Sequence, residues 1–402
     1  MTGPGRYVLR GRLVTPARVL ADGVVAVDGA RISWVGDARE WANDDGWPAA
    51  VAVEGTLLPG LVDVHCHGAA GFGFPDADSA GASAAAEHHR THGTTTLLAS
   101  LVTAPEPGLL VALDVCAGLV ETGGAAGIHL EGPFLSPARA GAQDAAALRA
   151  PDLWLLDRLL DAGRGHVRTI TYAPELPGAA HLAAHAVDRG VVPCIGHTDS
   201  DARTARAALA TAAQSTLGRA AVTHLFNGMP VLHSRAPGPV AASLAAAARG
   251  EAVVELVADG VHLSPDTVTA VFDLVGPGQI ALVTDAMPAA GMAAGRFRLG
   301  RLDVEVTDGV ARLAGEGPAE SRSIAGGTAR LVDVLRRTVR DAGVGLLAAV
   351  TAATATPARL LGLGEITGSL RPGLRADLLV VDDALHPVRV MSAGRWADER
   401  AT

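Results

Sequence analysis

Polar and apolar positions alternate along the first 56 residues. In VVAVDGARISWVG (24–36) branched apolar residues take every second place, and the turn pair Asp28-Gly29 breaks the run. Such alternation predicts strands with one buried face, joined here by a tight hairpin. The far end, 369–402, has the same character in ADLLVVDD and VRVMSAGRW. Two β-rich ends around a different middle predict one small domain made from 1–56 plus 369–402, and a larger one over 57–368.

The middle changes period. Short apolar runs recur as GLVDVH, TTTLLAS, AAGIHLEG, VRTITYAPE, VVPCIGH, AAVTHLF, AVVELVADG and QIALVTDA. Between most of them lie Ala- and Leu-rich stretches, at 80–92, 105–121, 178–190, 202–214 and 265–275, that favour helix. Eight strands alternating with helices predict an α/β fold, a (β/α)8 TIM-type barrel carrying a small β-sandwich domain from both termini. Residues 297–315 predict an extra hairpin after the eighth strand, and 324–362 return to helix.

Composition narrows the function. The chain has 402 residues, 49% hydrophobic and 19% charged, enough to bury a large core. A net charge of −9 argues against nucleic-acid and anionic-membrane partners. No lysine is present, so all 33 basic residues are arginine. That excludes Schiff-base chemistry and a phosphate-loop lysine; a phosphate would be held by arginine, histidine or backbone N–H groups. Three cysteines, Cys66, Cys116 and Cys194, predict a reducing compartment without a disulfide framework. The first residues lack the apolar core of a signal peptide, and no run of 18 apolar residues occurs, so a cytoplasmic location is expected.

Catalytic groups of such a barrel sit at the C-terminal ends of its strands. The first run ends in His65-Cys66-His67, the third in His129-Leu130-Glu131, and the fifth in Gly196-His197. The sixth contains His224, the seventh ends in Asp259-Gly260 with His262 following, and the eighth ends in Thr284-Asp285. Residues i and i+2 of a strand share a face, so His65 and His67 can converge on one ion. A lone strand-end histidine is commonly structural; an ordered set of imidazoles and carboxylates at successive strand ends predicts a divalent-metal centre. Such a centre activates water, and a carboxylate must take the proton and return it to the leaving group. Asp285 is the candidate. Cys66 points away from its neighbours and is expected to be a small core residue. The other eight histidines (88, 89, 92, 166, 181, 185, 233 and 386) are expected to be structural or exposed.

LPGLVDVHCHG, HLEGPFLSP, GHTDSDA, THLFNGMP, ADGVHLSP and VTDAMPAAG, with SIAGGTARLVDVLRR, resemble the N-acetylglucosamine-6-phosphate deacetylases of the amidohydrolase superfamily, over nearly the whole chain. The resemblance implies an enzyme that hydrolyses N-acetyl-D-glucosamine 6-phosphate to D-glucosamine 6-phosphate and acetate. It implies a principal metal on Glu131, His197 and His224, and a second site on His65, His67 and Asp285. The ion would be Zn2+, with Fe2+, Mn2+ or Co2+ as alternatives, one or two per subunit. With no lysine to bridge two ions, a protein bridge would fall to a carboxylate such as Glu131. Asp285 would be general base, then general acid. His262 would contact the sugar, Asn227 and the Gly228 amide would place the phosphate, and Arg235 would reach it from the neighbouring subunit of a homodimer.

Four segments depart from the family pattern. Gly141-Ala142-Gln143 stands where a Gly-Ala-His histidine helps polarise the substrate carbonyl; an amide can donate there but carries no charge. Asn227-Gly228-Met229, Arg235-Ala236-Pro237-Gly238 and Ala325-Gly326-Gly327 stand where the family usually carries Asn-Ala-Met, Arg-Glu-Pro-Gly and Ala-Gly-Ser, so Gly228, Ala236 and Gly327 are the departures. These changes spare the metal ligands and leave the sugar open, so N-acetylgalactosamine 6-phosphate or an unphosphorylated sugar is the main alternative substrate. A deaminase or cyclic amidase fits less well, because cyclic amidases need the bridging lysine. A catalytically inactive barrel serving as an interaction protein would typically have lost ligands that this chain keeps.

Overall fold

The computed structural model describes residues 5–42, 46–215 and 217–397. Parts of the expected β-rich ends, 1–4, 43–45 and 398–402, lie outside the described residues. The chain opens with β1 (Arg6–Val14), β2 (Val19–Asp28), β3 (Arg31–Asp37) and β4 (Val51–Pro59). Asp28 pairs with Arg31 across the Gly29-Ala30 turn, and Gly29 has the positive φ of 60° that this turn requires.

The barrel begins at β5 (Leu61–Cys66), followed by a two-strand ribbon of β6 (Gly68–Ala69) and β7 (Phe72–Gly73). Then come α1 (Ser79–Thr91), β8 (Thr94–Leu101), α2 (Glu106–Glu121), β9 (Gly127–Glu131), α3 (Leu153–Ala162) and β10 (Val167–Tyr172). Next are α4 (Ala179–Asp188), β11 (Val192–Ile195), α5 (Ala202–Ala213), β12 (Ala221–Val222), α6 (Gly238–Ala248) and β13 (Val253–Leu256). The last unit is α7 (Pro265–Val275) and β14 (Ile280–Leu282). Eight strands lie in the order β14-β13-β12-β11-β10-β9-β8-β5, with parallel neighbours throughout. A parallel bridge between Cys66 and Ala286 brings the two ends together: the His67 N–H donates to Ala286 O at 2.7 Å and the Asp285 N–H to His65 O at 2.9 Å. Asp63 reinforces this seam by accepting from the Thr284 hydroxyl at 2.6 Å.

The five helices expected between the strands are present within a residue or two of their expected ends, and three of them begin with a side-chain cap. Asp78, Asp201 and Ser264 cap α1, α5 and α7 by accepting from the backbone N–H three residues on. After the barrel the chain forms a three-stranded antiparallel sheet, β15 (Gly295–Leu299), β16 (Leu302–Thr307) and β17 (Val310–Leu313), one strand more than the expected hairpin. Helices α8 (Leu331–Arg340), α9 (Leu346–Ala353) and α10 (Ala355–Leu360) follow, then β18 (Leu378–Val381), β19 (Pro387–Ser392) and β20 (Arg395–Trp396).

The two ends of the chain build one seven-stranded sheet, β20-β19-β18-β4-β1-β2-β3, the small β domain beside the barrel. One apolar cluster joins Leu9, Leu13, Leu57, Leu378 and Met391, from both termini. Another packs Val8, Val24 and Ala26 against Trp34, Trp41 and Trp47. Among the described residues no helix is long and apolar enough to cross a membrane.

The seam between the termini sets a prediction. Gly55, at φ +104°, lies so close to β18 that an added Cβ would meet Val381 O at 2.0 Å. Gly55→Ala is expected to cost about 2–4 kcal/mol, read as a lower midpoint of thermal or urea unfolding. An unchanged midpoint would show that this seam yields freely.

Candidate metal centre

The strand ends converge their side chains on one point above the barrel. His65 belongs to β5 and His67 follows it, and their Nε2 atoms lie 3.0 Å apart. Glu131 ends β9, with Oε1 2.9 Å from His224 Nε2 and 3.1 Å from His197 Nε2. Asp285 Oδ1 lies 3.2 Å from His67 Nε2 and 3.5 Å from His65 Nε2. Two groups of buried ligand atoms result, His65–His67–Asp285 and Glu131–His197–His224, each within 4.8 Å.

These residues do not all lie on the strands themselves. β11 stops at Ile195, β12 at Val222 and β14 at Leu282, so His197, His224 and Asp285 occupy the first residues beyond the sheet. All three have positive φ, 45°, 28° and 48°. That region is uncommon for residues with a Cβ and concentrates at functional sites. Leaving the pleat at these three places turns each side chain toward the shared point.

Hydrogen bonds set the state of the rings. His65 Nδ1 is 2.9 Å from the Glu255 carboxylate, His67 Nδ1 3.2 Å from Ser100 O, and His197 Nδ1 2.7 Å from Arg139 O. Carboxylate and carbonyl oxygens only accept, so each Nδ1 carries the proton and each Nε2 presents a lone pair inward. Neutral rings so arranged would set the His65 and His67 lone pairs against each other at 3.0 Å with no proton between them. A cation resolves that repulsion. Burial works against charge at His65, yet Glu255, Glu131 and Asp285 raise its pKa well above the ordinary value. His67 and His197 are also raised against burial, by bonds to Asp285 and Glu131 in the first case and to Glu131 in the second. Burial pushes the Asp285 carboxyl up, but His65 and His67 outweigh it and hold the group below the usual carboxylate range. The site favours positive charge, and its nitrogen and carboxylate donors fit a divalent ion.

One carboxylate escapes a strand-end reading of the sequence. Glu255, in the middle of β13 and buried, accepts from His65 Nδ1 and, with the same Oε2, from the His224 N–H at 3.1 Å. It therefore steadies one member of each ligand group. Its only signal in the sequence is a carboxylate inside the apolar run AVVELV. Asp259 Oδ2 accepts from His262 Nδ1 at 2.9 Å and fixes that ring, whose Nε2 stands 3.7 Å from Asp285 Oδ2. Below the site His129 bridges Ser100 Oγ at 3.0 Å and Thr171 Oγ1 at 2.8 Å. Both its nitrogens are engaged, and burial, then His65, keeps its pKa low.

A cavity of about 260 Å³ opens over the two groups. Gln143, Asn227, Gly228 and His262 line it, with Leu299, Ile324 and Gly326 from the segments around the extra sheet. Gly228, at φ +60°, packs closely on the site: an added Cβ would meet His197 Nδ1 at 3.0 Å. Arg235 is the expected residue that does not join them. It lies on an exposed stretch, 231–237, outside the lining of its own chain's cavity. Cys66 is buried, with Sγ 3.2 Å from the buried His89 Nε2, on the side away from the ligand groups.

The sequence profile of the amidohydrolase family matches residues 56–397. The chain is 33% identical to an N-acetylgalactosamine-6-phosphate deacetylase of Escherichia coli, over 85% of this chain and 87% of the relative. It is 31% identical to an N-acetylglucosamine-6-phosphate deacetylase of Bacillus subtilis, over 96% and 95%. Its fold is similar to the structure of a mutant N-acetyl-D-glucosamine-6-phosphate deacetylase from Mycobacterium smegmatis in complex with N-acetyl-D-glucosamine-6-phosphate. That match has a TM-score of 0.89 at 39% identity and covers 98% of this chain and 99% of the other.

The position of Glu255 yields a test. Glu255→Gln keeps the shape and removes the charge facing His65. We expect metal affinity to fall about 10–100-fold, read by chelator competition on the purified protein. Wild-type affinity in this variant would remove Glu255 from the support of the site.

Proposed function

The chain belongs to the amidohydrolase family, in its N-acetylglucosamine-6-phosphate deacetylase branch, and from that premise we propose that it hydrolyses N-acetyl-D-glucosamine 6-phosphate to D-glucosamine 6-phosphate and acetate. The observation that carries the reading is the pair of buried ligand groups facing a sugar-sized cavity. Glu131, His197 and His224 would hold the principal ion and His65, His67 and Asp285 a second, with Zn2+ the ion that the donor set suits best. When bound, a divalent ion there polarises the acetamide carbonyl and lowers the pKa of water.

The chain's own groups supply the proton traffic. Asp285, kept ionised by its imidazole neighbours, takes a proton from the attacking water as oxygen adds to the acetamide carbon. It returns that proton to the nitrogen as the C–N bond breaks, so the amino sugar leaves neutral at nitrogen together with acetic acid, which then gives its own proton to water and becomes acetate. His262, its Nδ1–H held by Asp259, is oriented to meet the sugar beside Asp285. Asn227 and Gly228 line the cavity, and the Asn227 side chain and Gly228 amide would place the phosphate end. Gln143 has two amide hydrogens, and one of them is available to the substrate carbonyl.

Arg235 would complete the phosphate site of the neighbouring subunit in a homodimer. Its exposed segment carries Val231 at 87% and Leu232 at 48% exposure, apolar surface that a second copy would cover. A second reading, N-acetylgalactosamine 6-phosphate as substrate, is favoured by one observation: the 33%-identical relative from Escherichia coli is named for that sugar.

Acetate release by the metal-loaded protein tests the reading. N-acetylglucosamine 6-phosphate is expected to exceed both its galacto epimer and the unphosphorylated sugar, and Asp285→Asn should nearly abolish turnover. Preference for the galacto epimer would establish the second reading, and release from none of the three would refute both. Arg235→Ala should raise KM for the phosphorylated sugar far more than for the free one; an equal rise would remove Arg235 from phosphate recognition.

A further inference from the structure

Gln143 stands where the resemblance predicts a histidine, and its contacts point away from a role on substrate alone. The side chain is 6% exposed. Its Oε1 accepts from the Thr103 N–H at 2.7 Å. A backbone N–H can only donate, so this bond decides which end of the amide is oxygen and turns Nε2 toward Glu131. Nε2 donates to Glu131 Oε2 at 2.6 Å. The other oxygen, Oε1, is the one that meets His197 and His224. Thr103 also donates its hydroxyl to Glu131 O at 3.2 Å, so both the backbone and the carboxylate of Glu131 are tied to the end of β8.

From this geometry we infer that Gln143 is a positioning residue for Glu131, holding its Oε2 so that Oε1 alone is presented to the ion of the His197–His224 group. The inference rests on the metal-centre reading proposed above and deepens it. Glu131 Oε2 lies 3.3 Å from His67 Nε2, on the side of the second ligand group. An unclamped carboxylate could rotate about its last torsion and exchange its oxygens between the two groups. A donor on Oε2, itself fixed by a backbone N–H, selects one rotamer. A partner of this kind commonly changes metal affinity by about 10–100-fold. The second hydrogen on Nε2 is not used by Glu131, so contact with substrate is compatible but not required.

The test measures metal binding without substrate. Gln143→Leu removes the donor at nearly constant volume. Gln143→Asn keeps an amide in the buried position but shortens its reach by one methylene, and so remains informative if the leucine variant folds poorly. In both variants we expect the affinity for the first equivalent of Zn2+ to fall about tenfold or more. The visible spectrum of the Co2+-loaded protein should shift as the carboxylate changes its mode of ligation. Affinity within about twofold of wild type, with an unchanged Co2+ spectrum, would overturn the inference, and a lowered kcat alongside would place Gln143 on the substrate instead. If the wild type binds metal but releases no acetate, the deacetylase reading fails while the comparison of metal affinities still decides the role of Gln143.

Discussion

Imidazole lone pairs and two carboxylates, held together out of water, are tolerable only around positive charge. That constraint orders the rest of the molecule. Left empty and neutral, the inward Nε2 atoms of His65 and His67 would repel. Left charged without partners, they would bear the cost of burial. The structure answers with surrounding acceptors: Glu255 on His65, the Ser100 carbonyl on His67 and the Arg139 carbonyl on His197. Each fixes a proton on the outer nitrogen and leaves the inner one free to ligate. The barrel makes this possible because eight strand ends reach one point from all sides, and the Cys66–Ala286 seam brings the first and last of them into register.

The same constraint explains where the backbone departs from regular geometry. His197, His224 and Asp285 leave their strands at positive φ, a conformation that side-chain packing and ligation must hold in place. Nearby glycines then serve the backbone's need for room. Gly228 lets its loop pass against the His197 ring, and a Cβ on Gly327 would meet Thr284 O at 2.4 Å, where the chain pairs with the Asp285 backbone. Gly327 is one of the positions that departs from the family pattern, and here it is bare backbone that fits.

Much of this was legible in the sequence because it is periodic or typed. Alternation with period two marked the sheet made from both termini, the change to alternating apolar runs and Ala-rich stretches marked the barrel, and imidazoles and carboxylates at successive run ends marked a metal centre, whose division into two groups the resemblance implied. The supporting shell was not legible, because it depends on neighbours far apart in the chain. Glu255 reads as one carboxylate in an apolar run until β13 brings it against His65, 190 positions away. Gln143 reads as a weaker stand-in for histidine until Thr103 and Glu131 take up its amide. Arg235 is expected to serve the neighbouring subunit, and its own chain leaves it on the surface. Positive φ at a histidine or aspartate leaves no mark in composition at all, whereas at glycine it often does.

The chemistry of the site turns on whether the converging imidazoles and carboxylates hold a metal ion rather than buried protons. Metal content settles it most directly. The wild-type chain, purified from zinc-supplemented cells and desalted, would be analysed by elemental mass spectrometry beside a His197→Ala, His224→Ala double variant. We expect about one or two ions per chain in the wild type and loss of the principal one in the variant. A well-folded wild type that retains almost no metal, and takes none up on exposure to Zn2+, would contradict that expectation.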